Sequence, residues 1–272
     1  MIQDILIYIF VALFGLCIGS FLNVVIYRTE EEKSFAKGRS FCPSCKHSLN
    51  WKDLFPVFSF LFLGGKCRYC REKISIQYPL VELVTGLIFV LILNFKFEIL
   101  NQFEIFQFLN IIFWFYVASV LIIIFVYDLK HYLIPDNVLF PAIIIAGIYR
   151  IFEICLPAIG QGFSVSLLNY FYAILIGAGF FFAIWFVSQG KWMGFGDVKL
   201  AILLGLILGF PNILVGLFLS FLFGAIIGVL LMVLQKKEAK SEVPFGPFLI
   251  FGTFVALFWG TDLISWYLNL IL

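Results

Sequence analysis

Seven stretches of this chain run for about 20 residues with scarcely a charge: 5 to 27, 79 to 95, 105 to 127, 137 to 153, 167 to 188, 211 to 234 and 246 to 270. A helix of that length crosses roughly 30 Å of hydrocarbon, and lipid leaves a single segment no other way to satisfy its backbone amides. The runs therefore predict an all-α polytopic membrane protein. Composition agrees, since 63% hydrophobic against 12% charged residues leaves too little polar surface to cover a water-soluble globule.

A shorter run, 198 to 210, lies between Asp197 and Pro211. As a helix it reaches only about 20 Å, so it is expected to begin below the membrane surface, with Asp197 within the hydrocarbon depth. This brings the expected total to about eight helices. Residues 1 to 27 resemble a signal peptide in hydrophobicity, but the basic flank follows the apolar run and no small-residue cleavage site is evident, so a retained first span is expected.

Orientation is read from Lys and Arg. The segment 28 to 78 holds ten of the eighteen, which predicts a cytoplasmic loop and an outside N-terminus. Eight spans then keep sixteen of the eighteen inside, leaving only Lys96 and Arg150 outside, whereas seven would export Lys236, Lys237 and Lys240. The domains expected are helix 1 at 1 to 27, a cytoplasmic loop domain at 28 to 78 and a membrane domain at 79 to 272. The same threading puts Asp128 and Asp197 at one membrane face. The net charge of +2 says little about partners; nucleic acid is not suggested, and the oligomeric state is left open. The Gly-x-x-x-Gly pairs Gly15/Gly19, Gly205/Gly209 and Gly224/Gly228 are expected to serve internal helix packing rather than a dimer face.

Within the loop, Cys42-Pro43-Ser44-Cys45 and Cys67-Arg68-Tyr69-Cys70 form two knuckles able to give four thiolates to one tetrahedral zinc. Disulfides are the competing reading, disfavoured in a reducing cytoplasm. Four protein ligands leave no open position for substrate, so the metal's expected role is structural. His47 reads as a solvated loop residue, and Cys17 and Cys155 as packing residues.

Charges are expensive in such a chain, which singles out Asp197 in Gly194-Phe195-Gly196-Asp197-Val198-Lys199 and Asp128 in Tyr127-Asp128-Leu129-Lys130. Asp136 precedes an apolar run, where capping that helix accounts for it. Asp128 ends a helix, where a carboxylate opposes the macrodipole, so capping does not explain it. If the two aspartates meet, shared protonation would let one act as general base on a water while the other polarises a peptide carbonyl. Gly194 and Gly196 would let the backbone approach a substrate strand. The same pair could instead bind a cation on a transport path.

These motifs, with Gly19-Ser20-Phe21-Leu22-Asn23 through Arg28, Tyr78-Pro79-Leu80-Val81-Glu82-Leu83, the stretch from Asp128 to Asp136, and Pro244-Phe245-Gly246-Pro247-Phe248, resemble the type IV prepilin peptidases, Gly-x-Gly-Asp membrane aspartic proteases. Thr29-Glu30-Glu31 stands where the family usually has a proline after the arginine. The resemblance implies an enzyme of the bacterial inner membrane. It would cleave the positively charged leader of prepilin-like proteins at the cytoplasmic face and N-methylate the new terminus with S-adenosylmethionine. It implies Asp128 and Asp197 as the catalytic pair, with Gly194, Gly196, Lys199 and Asp136 as the supporting motif. Asn23, Arg28 and Glu82 become candidate methyltransferase residues, Glu82 being equally readable as a carboxylate favoured by a helix start. Two rival classes are a carboxylate-dependent transporter and a zinc-knuckle interaction scaffold. Whether the substrates serve pili, secretion or DNA uptake is not legible.

Overall fold

The computed structural model describes residues 2–34, 38–97, 104–155, 163–234 and 243–271. Lys37, Lys236, Lys237, Lys240, the side chain of Lys96 and the charged loop 235 to 242, all used in the charge reading, lie outside the described residues. Among those described the chain is helical, with isolated bridges in place of strands. The helices are α1 (Ile2–Glu30), α2 (Phe58–Phe62), α3 (Gln77–Phe97), α4 (Glu104–His131), α5 (Asp136–Cys155), α6 (Phe163–Ser188), α7 (Phe195–Leu208), α8 (Asn212–Val233) and α9 (Gly246–Ile271). Seven of them, all but α2 and α7, are long and apolar enough to cross a membrane. The chain forms two compact units, Met1–Ile123 and Ile124–Leu272.

In the first unit α1 packs on α3. Apolar area alone gives helices in lipid little reason to associate, so backbone proximity matters. Gly15 and Gly19 supply it: a Cβ on Gly15 would lie 2.7 Å from the Gly86 Cα, and one on Gly19 would lie 2.6 Å from the Glu82 Cα. The internal-packing expectation holds for this pair. Phe14 and the stacked rings of Phe89 and Phe115, 4.0 Å between centroids, extend the contact to α4.

In the second unit α7 packs against α5, α6, α8 and α9. This is the short helix that hydropathy predicts, 14 residues long and hence about 21 Å. It can be short because Val198, Leu200, Ala201 and Leu203 through Ile207 are buried in protein. Gly209 ends it at φ 66, its N–H returning to the Gly205 carbonyl. Gly205 also meets the α6 backbone, where a Cβ would come within 2.9 Å of Ile174. Among the described residues the Gly224/Gly228 pair brings no backbones together: Gly224 has ordinary contacts with Phe245 and Phe248, and Gly228 has no neighbour within 4 Å.

Candidate active site and metal centre

The puzzle of Asp128, a carboxylate near the wrong end of its own helix, resolves at the start of α9. Asp128 lies one turn before the end of α4, where Tyr132, at φ 58, closes the helix by donating its N–H to the Asp128 carbonyl at 2.9 Å. Its side chain is 4% exposed and accepts the backbone N–H of Gly246, the first residue of α9. A second helix N-terminus thus supplies the favourable field that α4 denies it. A Cβ on Gly246 would lie 2.5 Å from Asp128 Oδ2, so no larger residue fits that turn as it stands.

Asp197 is half-buried in the first turn of α7, also at a helix N-terminus. The structure brings it close enough to Asp128 for one charge to act on the other. Gly196 makes room for the chain itself, since its missing Cβ would sit 3.3 Å from the Cβ of Ile134, in the turn between α4 and α5. Gly194, the N-cap of α7, has only the Gly196 nitrogen within contact and is open on that side.

Two clamps hold α7 against α5. At the end bearing Asp197, Lys199 pairs with Asp136, the first residue of α5, so Asp136 serves as an ion-pair partner in the first turn of that helix. At the other end Arg150, 6% exposed, donates from Nε to the Leu206 carbonyl and from Nη2 to the Ile207 carbonyl, each at 2.9 Å. Its third arm pairs with Glu153 at 2.6 Å, and Tyr170 lies 4.7 Å beneath the guanidinium. Arg150 therefore satisfies terminal carbonyls of the short helix. A side chain so occupied carries no weight in a count of loop cations, and the charge pattern alone gave no sign of its task.

In the first unit the four knuckle sulfurs lie within 4.8 Å of one another, Cys42 and Cys70 at 3.9 Å. Tetrahedral Zn–S bonds of about 2.3 Å require S···S separations of about 3.8 Å, so the set fits such an ion. The knuckles are built alike: Lys46 and Arg71, each just after the second cysteine, take φ 59 and 61, and the Cys42 and Cys67 N–H groups return to His47 and Glu72 carbonyls at 2.9 and 2.8 Å. Burial raises the Cys42 thiol, but N–H groups of Cys45 and Ser44 outweigh it and bring the thiol down to about 7. Glu72's N–H favours the Cys70 thiolate, yet burial and the surrounding thiols push Cys70 up to about 12. Crowded sulfurs of this kind ionise together when a cation sits among them. The His47 ring lies tilted against Tyr69, 3.7 Å between centroids, and Asp53 ties the second knuckle down through Arg68 at 2.6 Å and Tyr69 at 3.0 Å.

Between the knuckles and the α1–α3 pair lies a cavity of about 330 Å³ that collects Asn23, Arg28 and Glu82 on one wall system, with Cys42 and Cys67 on another. Asn23 donates to the Gly19 and Tyr78 carbonyls at 3.2 and 3.1 Å, which fixes its amide orientation and leaves its buried Oδ1 with no partner among the described residues. Glu82 accepts the Val57 N–H at 2.7 Å. Arg28 donates to the carbonyls of Gly38 and Arg39 at 2.9 and 3.3 Å, so part of its role is to hold the loop.

Residues 13–95 match the bacterial peptidase A24 N-terminal domain, and residues 114–229 match the type IV leader peptidase family. A protein of Aeromonas salmonicida (strain A449) named prepilin leader peptidase/N-methyltransferase is 31% identical over 287 residues, covering 96% of this chain and 94% of the relative. Proteins of the same name are 33% identical in Bacillus subtilis (strain 168), covering 96% and 97%, and 32% identical in Legionella pneumophila, covering 96% and 94%. No solved structure matches the chain. With both halves matched in register and relatives aligned from end to end, this chain belongs to the type IV leader peptidase family.

Proposed function

We propose that this chain is a two-activity enzyme that removes the leader of prepilin-like proteins at the cytoplasmic face of the inner membrane and then methylates the exposed terminal amine. What supports the first activity is the placement of Asp128 against the start of α9 and of Asp197 in the first turn of α7, with the Asp128 charge within range of Asp197. One carboxylate, ionised, takes a proton from an attacking water. The other, protonated, donates to the scissile carbonyl oxygen, and the same groups return a proton to the leaving amine. Gly246 fixes Asp128, while Lys199, Asp136 and Ile134 fix the turn that carries Asp197. Family membership lends no support to a cation-transport reading of the pair.

For the second activity the cavity's volume lies at the lower end of the range for small-molecule sites, and its unpartnered Asn23 Oδ1 is an acceptor awaiting a donor. S-adenosylmethionine, when bound, supplies an electrophilic methyl group. Asn23 Oδ1 and Glu82 would accept hydrogen bonds from the neutral substrate amine, and Glu82 would take the one proton that the amine gives up on methylation, the donor's S–CH3 bond breaking and its thioether leaving. Arg28 would serve as a carboxylate partner at the loop side. The four cysteines would hold zinc, whose role is to fold the wall of that cavity. The loop and both aspartates would face the cytoplasm, as the Lys and Arg distribution suggests.

Intact-mass analysis of a prepilin-like peptide reconstituted with the protein tests both halves. Loss of the leader followed by gain of one methyl group is expected. An unchanged peptide contradicts the whole proposal, and a trimmed but unmethylated one contradicts its second half.

A further inference from the structure

The loop between α1 and α3 presents Trp51, Phe55, Phe58 and Phe62 along one shallow groove, with exposures of 67%, 53%, 45% and 87%. Aromatic surface of this extent facing water is unfavourable and marks an interaction site. The groove is not remote from the bilayer. Both ends of the loop enter helices long and apolar enough to cross a membrane, and the N–H of Val57, the residue before α2, donates to Glu82. Glu82 lies five residues into α3, which begins at Gln77, and so about 7.5 Å along the helix axis. The start of α2 is thereby held beside the second turn of a span. Val57 accepts φ 60, unfavourable for a β-branched residue, to make that contact.

We propose that this aromatic face is a membrane-interface anchor seated in the headgroup region of an anionic leaflet. Aromatic side chains favour that depth, where rings meet acyl chains and polar edges meet headgroups. The charge beside the groove selects the occupant. Lys52 stands 5.6 Å over the Trp51 ring, and Lys66 is exposed just past α2, whereas Arg68 is already paired with Asp53. Two available cations attract acidic lipid headgroups. They repel the positively charged leader of the proposed substrate, the other apolar partner within reach. The opposite side of α2, through Phe60, lines the cavity, so the anchor ties one cavity wall to the bilayer surface.

Photolabelling of the full chain in phosphatidylglycerol vesicles carrying a diazirine on the acyl chain tests this, with adducts mapped by peptide mass. Adducts between Trp51 and Phe62 are expected at a yield within about tenfold of those at Phe10, an exposed residue of α1. Replacing phosphatidylglycerol by phosphatidylcholine, or the Lys52→Gln/Lys66→Gln variant, should lower the loop adducts about thirtyfold relative to Phe10, since each of the two cations near an acidic surface is worth about 1 kcal/mol. Labelled α1 with an unlabelled loop overturns the anchor, and labelling independent of headgroup charge overturns its anionic preference. Crosslinking of a prepilin peptide to Trp51 or Phe62 in place of lipid assigns the face to substrate and also overturns the proposal.

Discussion

Asp128 lies near the C-terminal end of α4, yet its carboxylate takes the first backbone N–H of α9, from Gly246, across 118 residues of sequence. The missing Cβ of that glycine, 2.5 Å from Oδ2, is the space the carboxylate occupies. Gly246→Ala must therefore displace Asp128 or tilt the start of α9. Because displacements near 1 Å at a reacting group cost roughly 100-fold in rate, cleavage should fall by at least that factor. Methylation of a peptide already lacking its leader should persist, because its proposed residues lie in the other unit. Full cleavage by the variant would show that the Gly246 contact is dispensable.

The two clamps on α7 should differ sharply in worth. Arg150→Met strands two helix-terminal carbonyls and Glu153 in a largely buried setting, and should cost about 3–5 kcal/mol. Lys199→Met breaks a pair whose Asp136 side chain is 53% exposed, and should cost under about 1 kcal/mol. Thermal unfolding in detergent micelles ranks them; the reverse order would contradict the role given to Arg150.

Chelation of the metal should release about one zinc per chain and make the stretch from Cys42 to Cys70 sensitive to protease. Methylation should stop while leader cleavage continues, since both aspartates belong to the unit that lacks the four knuckle cysteines. Cys67→Ser should reproduce this pattern. Loss of both activities in step would mean that the cysteine loop supports the peptidase as well.

Glu82→Gln keeps an oxygen for the Val57 N–H but removes the proton acceptor, so the loop should stay folded. Methylation should fall by at least about 100-fold, in keeping with the loss of a general base, with cleavage unchanged. Zinc content equal to wild type would separate this from misfolding, and undiminished methylation would remove Glu82 from the proposed chemistry.

The helices were legible because lipid imposes a length and an apolar composition on any span, and the knuckles because four cysteines at fixed spacing fit one ion. Asp128 and Asp197 stood out as costly charges in an apolar chain. What sequence did not disclose lies in long-range geometry. Nothing local to Gly246, within Pro244-Phe245-Gly246-Pro247-Phe248, marks it as the partner of Asp128. Arg150 reads from sequence only as one of two cations left outside, and its bonds to Leu206 and Ile207 depend on α5 and α7 lying side by side. Gly196 reads from sequence as an opening for substrate, and only the fold reveals that Ile134 also lies against it, 3.3 Å from where its Cβ would stand.

The central claim is that Asp128 and Asp197 together perform the hydrolysis. Asp128→Asn and Asp197→Asn, each reconstituted with a prepilin-like substrate and followed by intact mass, test it most directly. Each single variant should leave the substrate uncut while retaining wild-type zinc content and methylation of a pre-trimmed peptide. Complete leader removal by either variant would contradict the account.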